Sequence, residues 1–426
     1  LLGLCYATIR NLKSTVIKNL PVEKPLALCG GIIHNSGVIK AVKDIFELED
    51  EEFIALEDSE YIQAIGAASM AKENTASFSL QNCYERIDQY LQSQVSDSKI
   101  LRLPPLKLLK DTIIQEPICA PVKEKECCSM GIDVGSTSTN IVLIKQDGEM
   151  VDFQYLRTKG DPQGVIKEGF QSIEKRFGDS LIIKSVGVTG SGRYLVGKMV
   201  GSDSIKDEIT AQGKAAVCVC PDVDTVFEIG GQDSKYIQLE NGFVKDFQMN
   251  KICAAGTGSF IEEQANRLEV KLEDYGKIAL SAKHPVDLGE RCTVFIESNI
   301  AACLSNGVET SEILAGLCHS VIHNYLFKVV GNKPVGNHIV LQGGVCYNPA
   351  IVAAFQGAYG ARVTVSPYFS VSGAYGVAVL ATEEIGEKQT TFNGFDLSHA
   401  IDNDDFTQNT TIKMNTNFYD KARDNL

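Results

Sequence analysis

The sequence predicts an α/β protein of two subdomains around a cleft, and three observations predict it. A unit of apolar strand, acid-bearing glycine turn and strand occurs twice, with the units about 100 residues apart (230 − 131 = 99). Between and after them come a glycine turn that opens a helix and a strand that ends in a glycine pair. The rear of this pattern is found again at the start of the chain, as an internal repeat.

The repeat fixes the domain organisation. Sliding the chain on itself by 313 positions aligns residues 1–36 with 314–349 without a gap. Of the 36 pairs, 14 are identical, where chance gives roughly 2. Gly3-Leu4-Cys5 falls on Gly316-Leu317-Cys318, and Pro21-Val22 on Pro334-Val335. Leu28, Gly30, Gly31 and Asn35 fall on Leu341, Gly343, Gly344 and Asn348. Ala64-Ile65-Gly66 matches Ala374-Tyr375-Gly376 after a small change of loop length. Residues 1–82 therefore read as the C-terminal remnant of an upstream copy of the domain that ends near residue 385. With the second copy beginning near Gly131, 314 − 131 = 183 positions of the first are missing, and Leu1 is not an initiator Met. The expectation is a fragment of a longer tandem protein. Residues 83–127, with Leu103-Pro104-Pro105 and Glu116-Pro117, read as a linker with one short helix. Residues 128–385 read as the complete domain, and 386–426, rich in Asn, Thr and Asp, as a tail without an assigned role.

Composition excludes several classes. The 426 residues suffice for two to three domains. The 40 Lys+Arg stand against 54 Asp+Glu, a formal charge of −14. That balance argues against nucleic acid or an anionic membrane as main partner, since both require a basic footprint. No run approaches the roughly 18 uninterrupted apolar residues of a membrane span, and no basic segment followed by an apolar one marks a signal peptide. The 13 cysteines are odd in number, irregularly spaced and form no C-x-x-C. Reduced thiols or metal ligands in a cytoplasm fit them better than a secreted disulfide framework.

Each element of the cleft has a chemical reason. Gly131-Ile132-Asp133-Val134-Gly135-Ser136-Thr137-Ser138-Thr139-Asn140 is a strand, a tight turn and the start of the next strand. Glycine lets backbone approach an anion closely, and turn N–H groups with Ser/Thr hydroxyls cradle phosphate oxygens. Asp133 stands where it can hold Mg²⁺ through water. Val226 to Ile229, then Gly230-Gly231-Gln232-Asp233-Ser234-Lys235, then Tyr236 to Leu239 repeat the design, and Asp233 is a candidate to orient attacking water. Ala254-Ala255-Gly256-Thr257-Gly258-Ser259 turns into a helix expected over about residues 259–268, with Glu262 and Glu263 in its first turn. Leu341-Gln342-Gly343-Gly344-Val345 ends a strand in a glycine pair suited to the flat face of adenine. In this order the elements resemble the actin, heat-shock-chaperone and sugar-kinase superfamily. The resemblance implies an actin-like (ribonuclease H-like) ATPase fold over about residues 129–385.

Two cysteines distinguish the branch. Cys253 precedes the helix just described, and Cys292 precedes a second apolar helix expected over about residues 294–304. Helix N-termini stabilise thiolates and anionic clusters. Two thiolates cannot fill the four ligand positions of a [4Fe-4S] cluster, but a two-fold pair of domains can; the alternative is a pair of buried structural cysteines. The strings Lys251-Ile252-Cys253-Ala254-Ala255-Gly256-Thr257-Gly258 and Cys292-Thr293-Val294-Phe295-Ile296-Glu297-Ser298 resemble the activators of 2-hydroxyacyl-CoA dehydratases and the ATPase subunits of benzoyl-CoA reductase. The spacing, 292 − 253 = 39, fits that family, while Glu228 stands where it more often has Asp.

This resemblance implies an ATP-driven one-electron donor that takes an electron from ferredoxin or flavodoxin and passes it to a 2-hydroxyacyl-CoA dehydratase-like acceptor. Cys253 and Cys292 are then cluster ligands, shared across a homodimer or across an intramolecular pseudo-dimer of the tandem copies. Asp133, Gly135, Ser136, Thr137, Ser138, Gly230, Gly231, Gln232 and Asp233 handle the phosphates of ATP or ADP and Mg²⁺. Gly256, Thr257, Gly258, Gly343 and Gly344 serve the nucleotide, and Glu262 reaches the ribose. A small-molecule kinase of the same superfamily and a non-catalytic regulatory protein of the same fold are the rival readings. Cys318, His319 and His323 fall at helical spacing, but their counterparts Cys5, Tyr6 and Arg10 do not preserve a ligand set. Cys218 and Cys220 read as alternating on a strand, and residues 189–193 as a subdomain turn rather than a nucleophile elbow.

Overall fold

The computed structural model describes residues 2–18, 20–56, 58–72, 81, 83–87, 100–250, 256–289 and 293–397. The chain divides into two units, Leu1–Ser98 and Lys99–Leu426.

The first unit begins with helix α1 (Leu2–Leu12), which ends in a π-helical turn, Lys13–Ile17. Strand β1 (Leu26–Leu28), helix α2 (Ser36–Phe46), strand β2 (Phe53–Ala55) and helix α3 (Ile62–Lys72) follow. The two strands pair in parallel. Tyr6, Ile9, Val38, Ala41 and Val42 form a small core between α1 and α2. Asn35 starts α2 by accepting a hydrogen bond from the Val38 N–H, satisfying a donor that the helix leaves open.

In the second unit, runs of buried, largely apolar residues make the first sheet. It contains β3 (Glu126–Val134), β4 (Ser138–Lys145), β5 (Met150–Arg157), β6 (Leu181–Thr189) and β7 (Ser204–Ile205), in the order β5-β4-β3-β6-β7. Helices α4 (Pro162–Phe177) and α5 (Arg193–Val200) cover one face. Helix α6 (Glu208–Val219) leads to the second sheet, built from β8 (Thr225–Ile229), β9 (Ser234–Glu240), β10 (Phe243–Met249), β11 (Ile339–Gln342) and β12 (Val363–Val365). Its order, β10-β9-β8-β11-β12, copies that of the first sheet. In both, the first three strands pair antiparallel and the last two add in parallel. Helices α7 (Gly258–Arg267), α8 (Leu272–Leu280), α9 (Thr293–Ser305), α10 (Thr310–Tyr325) and α11 (Pro349–Tyr359) pack on one face of the second sheet. Thr310–Val330 is long and apolar enough to cross a membrane, but 72% of its most apolar window is buried inside the protein. It is a core helix.

The last helix, α12 (Ser372–Ile385), lies with α6 between the sheets. Glycine makes that contact possible. A Cβ on Gly131 would fall 1.9 Å from the Ala374 carbonyl oxygen, and one on Gly376 equally close to that of Ala211. Strand β3 therefore meets α12, and α12 meets α6, backbone against side-chain-free backbone.

Several elements differ from the sequence reading. Residues 100–125, within the stretch read as a linker, are laid against the domain. Leu106 is buried with α8, α10 and α11, and Arg102 forms a bridge and ion pair with Val286 and Glu312. Farther on, the Ala120 N–H donates to the Met150 carbonyl, and Val122 packs on the first sheet's core. The segment thus straps both subdomains. Prolines at 104, 105, 117 and 121 forbid a continuous helix, yet the apolar side chains between them still need burial. The tail also starts inside the fold: Leu397 is buried, and Phe392 and Phe395 set their rings edge-on to Phe170. Cys218 lies in helix α6, and Cys220 caps it, so neither is on a strand. The alternation was too short to separate a strand from the end of a helix.

The repeat is visible element by element. The π-helical turn Lys13–Ile17 recurs as Leu326–Val330, 313 positions on. Gly30 has φ +91° and Gly343 φ +97°, while Asn35 and Asn348 have φ of −94° and −93° and cap equivalent helices. Exposure differs, however. Leu4, Val16 and Ile32 are 68%, 65% and 47% exposed, whereas their counterparts Leu317, Val329 and Val345 are 1%, 3% and 7% exposed. Strand β1 has β2 on one side only among the described residues, whereas β11 lies between β8 and β12.

Gly131→Ala and Gly376→Ala should each lower the unfolding free energy by at least about 2 kcal/mol in denaturant titrations, because the added methyl has no room. Gly357→Ala, in α11 with open space around it, should instead stabilise by about 0.5–1 kcal/mol. Equal effects at the three sites would refute the close-approach argument.

Candidate functional site: a phosphate cleft between the two sheets

The two acid-bearing turns come from equivalent places, β3–β4 in one sheet and β8–β9 in the other. Each closes in the same way: the Gly135 N–H donates to the Ser138 carbonyl and the Gly230 N–H to the Asp233 carbonyl, both at 2.9 Å. The turns touch across the cleft, where the Ser136 hydroxyl donates to Gln232 Oε1 at 2.9 Å. A Cβ on Gly231 would come within 3.1 Å of the Thr137 side chain, so the glycine keeps the gap between the turns open. Helix α7 starts directly behind. Its Gly258 and Ser259 N–H groups donate to the Gly230 and Gly231 carbonyls at 2.9 and 2.8 Å.

The pocket between the turns is lined by Asp133, Ser136, Thr137, Ser138, Gly230, Gly231, Gln232 and Asp233, with Gly343 and Gly344 at one end. A wider, more apolar cavity adjoins it, lined by Tyr155, Gly258, Ile261, Leu272, Val345 and Tyr347. Gly343 adopts φ +97°, and a Cβ there would overlap the Ile229 carbonyl oxygen, so only glycine lets β11 end at this point. Gly256 and Thr257 are buried; Gly256 packs against Tyr325, and neither lines the two cavities. Glu262 is on the cavity wall and faces Arg157 of the other subdomain at 3.5 Å. It lies in the second turn of α7, not the first, because the helix begins at Gly258. Glu263 instead pairs with Arg267, one turn on.

Sequence reasoning missed part of the lining. Glu208 and Gln212 of α6 reach the pocket, as do Asn140, Ser191, Ser370 and Gly373. The signal for Glu208 was available: Asp207 caps α6 by accepting from the Thr210 N–H, which aims the first helical residue at the cleft. Gln212 is held by Gln342, which donates to its side chain at 2.9 Å.

The electrostatics centre on Lys235, which is buried. Its Nζ lies 2.8 Å from Asp233 Oδ2, 2.9 Å from Glu228 Oε2 and 3.2 Å from Glu208 Oε2. Burial works against the charge on Lys235, but the three carboxylates outweigh it and hold the ammonium protonated. Burial pushes Glu228 up to about 7 even with Lys235 beside it. Asp133 is likewise pushed up to about 7, by burial first and then by Glu208. Among the described residues, no three His, Cys, Asp or Glu side chains form a ready-made metal cage. Mg²⁺ does not need one, because it keeps several waters and takes one or two carboxylates together with substrate phosphates. The donor set therefore fits Mg²⁺, and two buried atoms without a protein partner, Thr137 Oγ1 and Asn140 Oδ1, fit a polar ligand.

Cys253 and Cys292 lie outside the described residues. The helices after them begin at Gly258 and Thr293. Cys318 and Cys346 are fully buried, and burial pushes both thiols well up, that of Cys318 to about 12. His319 accompanies Cys318 on α10, but its Nε2 meets the Pro104 carbonyl of the strap.

Two duplicated sheets, facing glycine turns and an adjoining apolar cavity define an actin-like ATPase. The chain belongs to the BadF/BadG/BcrA/BcrD ATPase family, whose pattern matches residues 130–381. It is 31% identical over 253 residues to the (R)-2-hydroxyglutaryl-CoA dehydratase activating ATPase of Acidaminococcus fermentans, covering 59% of this chain and 96% of that protein. It is 31% identical over 264 residues to the activator of lactoyl-CoA dehydratase of Anaerotignum propionicum, covering 61% and 99%. The solved activator of 2-hydroxyisocaproyl-CoA dehydratase from Clostridium difficile, with bound ADPNP, superposes with a TM-score of 0.53 at 31% identity, over 60% of this chain and 95% of that one.

Proposed function

We propose that this ATPase is the activator of a 2-hydroxyacyl-CoA dehydratase-type enzyme, coupling ATP hydrolysis to delivery of one electron through a [4Fe-4S] cluster. The observation that carries the reading is the start of helix α7. Its first N–H groups are bonded to the Gly230–Gly231 turn, and Cys253 lies five positions before Gly258 in sequence (258 − 253 = 5). A change at the phosphates therefore acts on the end of α7 from which the sequence leads back to Cys253. Cys292 immediately precedes α9 in the same way. The cluster, once bound, supplies the one-electron chemistry, and ferredoxin or flavodoxin is the donor expected. The kinase rival has no use for either cysteine.

In hydrolysis, water attacks the γ-phosphorus of ATP and ADP leaves with its terminal oxygen. The turns at 135–138 and 230–233 hold the phosphates, Asp133 holds the hydrated Mg²⁺, and Asp233, half-exposed beside the pocket, orients the water and takes its proton. Asp233→Asn should slow turnover by about 100-fold with little change in ATP affinity, because orienting water matters mainly in the transition state. Turnover equal to that of the native protein would refute this role.

Anaerobic iron and sulfide analysis tests the cluster. Cys253→Ser or Cys292→Ser should abolish bound iron and leave ATP binding intact, whereas Cys303→Ser or Cys346→Ser should retain it. Full iron in the Cys253 variant would overturn the ligand assignment.

The repeat supports a second proposal. The first unit is the rear of another ATPase copy, and its exposed Leu4, Val16 and Ile32 are the face on which that copy's front half packs. Two copies then pair around one cluster within a chain, or two chains pair as a homodimer. In the protein carrying both copies, native mass and iron content separate these. One cluster per monomeric chain supports internal pairing, and one per dimer of chains rules it out.

A further inference from the structure

Lys235 is a buried charged group that the hydrolysis scheme leaves unused. It is 3% exposed, on the strand leaving the second turn, and three carboxylates from three elements converge on its ammonium: Glu208, Glu228 and Asp233. Asp133 lines the same pocket, so four carboxylates and one lysine line it together. A buried ion pair is by itself weak evidence of a stabilising role, because desolvation offsets much of the attraction. Position is more informative. Glu208, Glu228, Asp233 and Asp133 all line the pocket between the two turns, and the Lys235 ammonium lies within 3.2 Å of the first three. A second observation marks the place as built for a ligand: Asn140 is 6% exposed and lines the same pocket, yet its Oδ1 has no partner. An unpaired buried acceptor there suits a water of a hydrated ion.

We infer that Lys235 is an internal counter-cation that holds the carboxylates in the absence of nucleotide and keeps divalent metal out until the phosphates arrive. The inference rests on the nucleotide-binding reading of this cleft. With the ammonium in place, the site offers an incoming ion carboxylates that are already compensated. Nucleotide adds phosphate charge to the pocket, and metal and nucleotide then bind as one unit. Lys235 is thus a positioning residue that makes metal binding conditional.

Mn²⁺ is the probe, followed by its electron paramagnetic resonance and by the melting temperature. The native protein should bind Mn²⁺ weakly alone and tightly with a non-hydrolysable ATP analogue. Lys235→Met should bind Mn²⁺ without nucleotide at least about tenfold more tightly than the native protein, and its melting temperature should rise with Mn²⁺ alone. Lys235→Arg, which keeps the charge, should behave as the native protein does. Unchanged Mn²⁺ affinity in Lys235→Met, or tight nucleotide-free binding by the native protein, overturns the inference. If Lys235→Met is unfolded without metal, refolding on Mn²⁺ alone supports it and failure to refold overturns it. Loss of nucleotide binding by the native protein would instead sink the reading of the cleft itself.

Discussion

The structure depends on two helices being able to lie between two sheets with almost no side chain in the way. Gly131 and Gly376 allow β3, α12 and α6 to stack at backbone distance. Both sheets have the same strand order, so this stacking sets their equivalent β-turns opposite each other. The facing turns are then close enough for the Ser136–Gln232 hydrogen bond and for a glycine, Gly231, to be needed against Thr137. The pocket between the turns is a consequence of helix packing some distance from it. A methyl group at either glycine would act on the pocket by moving a whole subdomain, because packed interiors transmit strain rather than absorb it.

Burial gives the pocket its charge logic. A water-filled cleft would leave Asp133 and Glu228 in the ordinary carboxylate range, but here burial pushes both up to about 7. The protein compensates with one lysine rather than with apolar replacement, although apolar packing of equal volume is often as stable. Retaining that lysine in the middle of the carboxylates makes sense where charge must be exchanged during function.

The sequence carried the parts of the fold that have local chemistry. The two turns, the glycine pair at 343–344 and the helix starting near Gly258 are all marked by glycine and small hydroxyl residues whose backbone demands are specific. The repeat at 313 positions is matched by the structure down to a π-helical turn and the φ of an asparagine cap. Long-range placement was not legible. Glu208, Asn140 and Ser191 enter the pocket only because separate elements meet there. Residues 100–125 show the same limit, since proline and charge mark them as non-helical but do not reveal which surface receives Leu106. The helix starts one residue earlier than expected, which leaves Glu262 just past its first turn, because helix starts are set by hydrogen bonding to a distant loop, here the 230–231 turn.

The strap gives these parts a common connection. It leaves the first unit's end of the chain, crosses the second subdomain at Arg102 and Leu106, and reaches the first sheet at Ala120 and Val122. On the way Glu116 accepts a hydrogen bond from the Tyr347 hydroxyl at 2.6 Å, and Tyr347 lines the cavity beside the pocket between the turns. Burial and this bond hold the phenol protonated. A strand of chain that grips both subdomains cannot stay unstrained if they close or open, since its anchors lie on opposite sides of the cleft. Closure around a ligand must therefore stretch or release the strap, and the residue it grips nearest the cleft is a wall of the cavity.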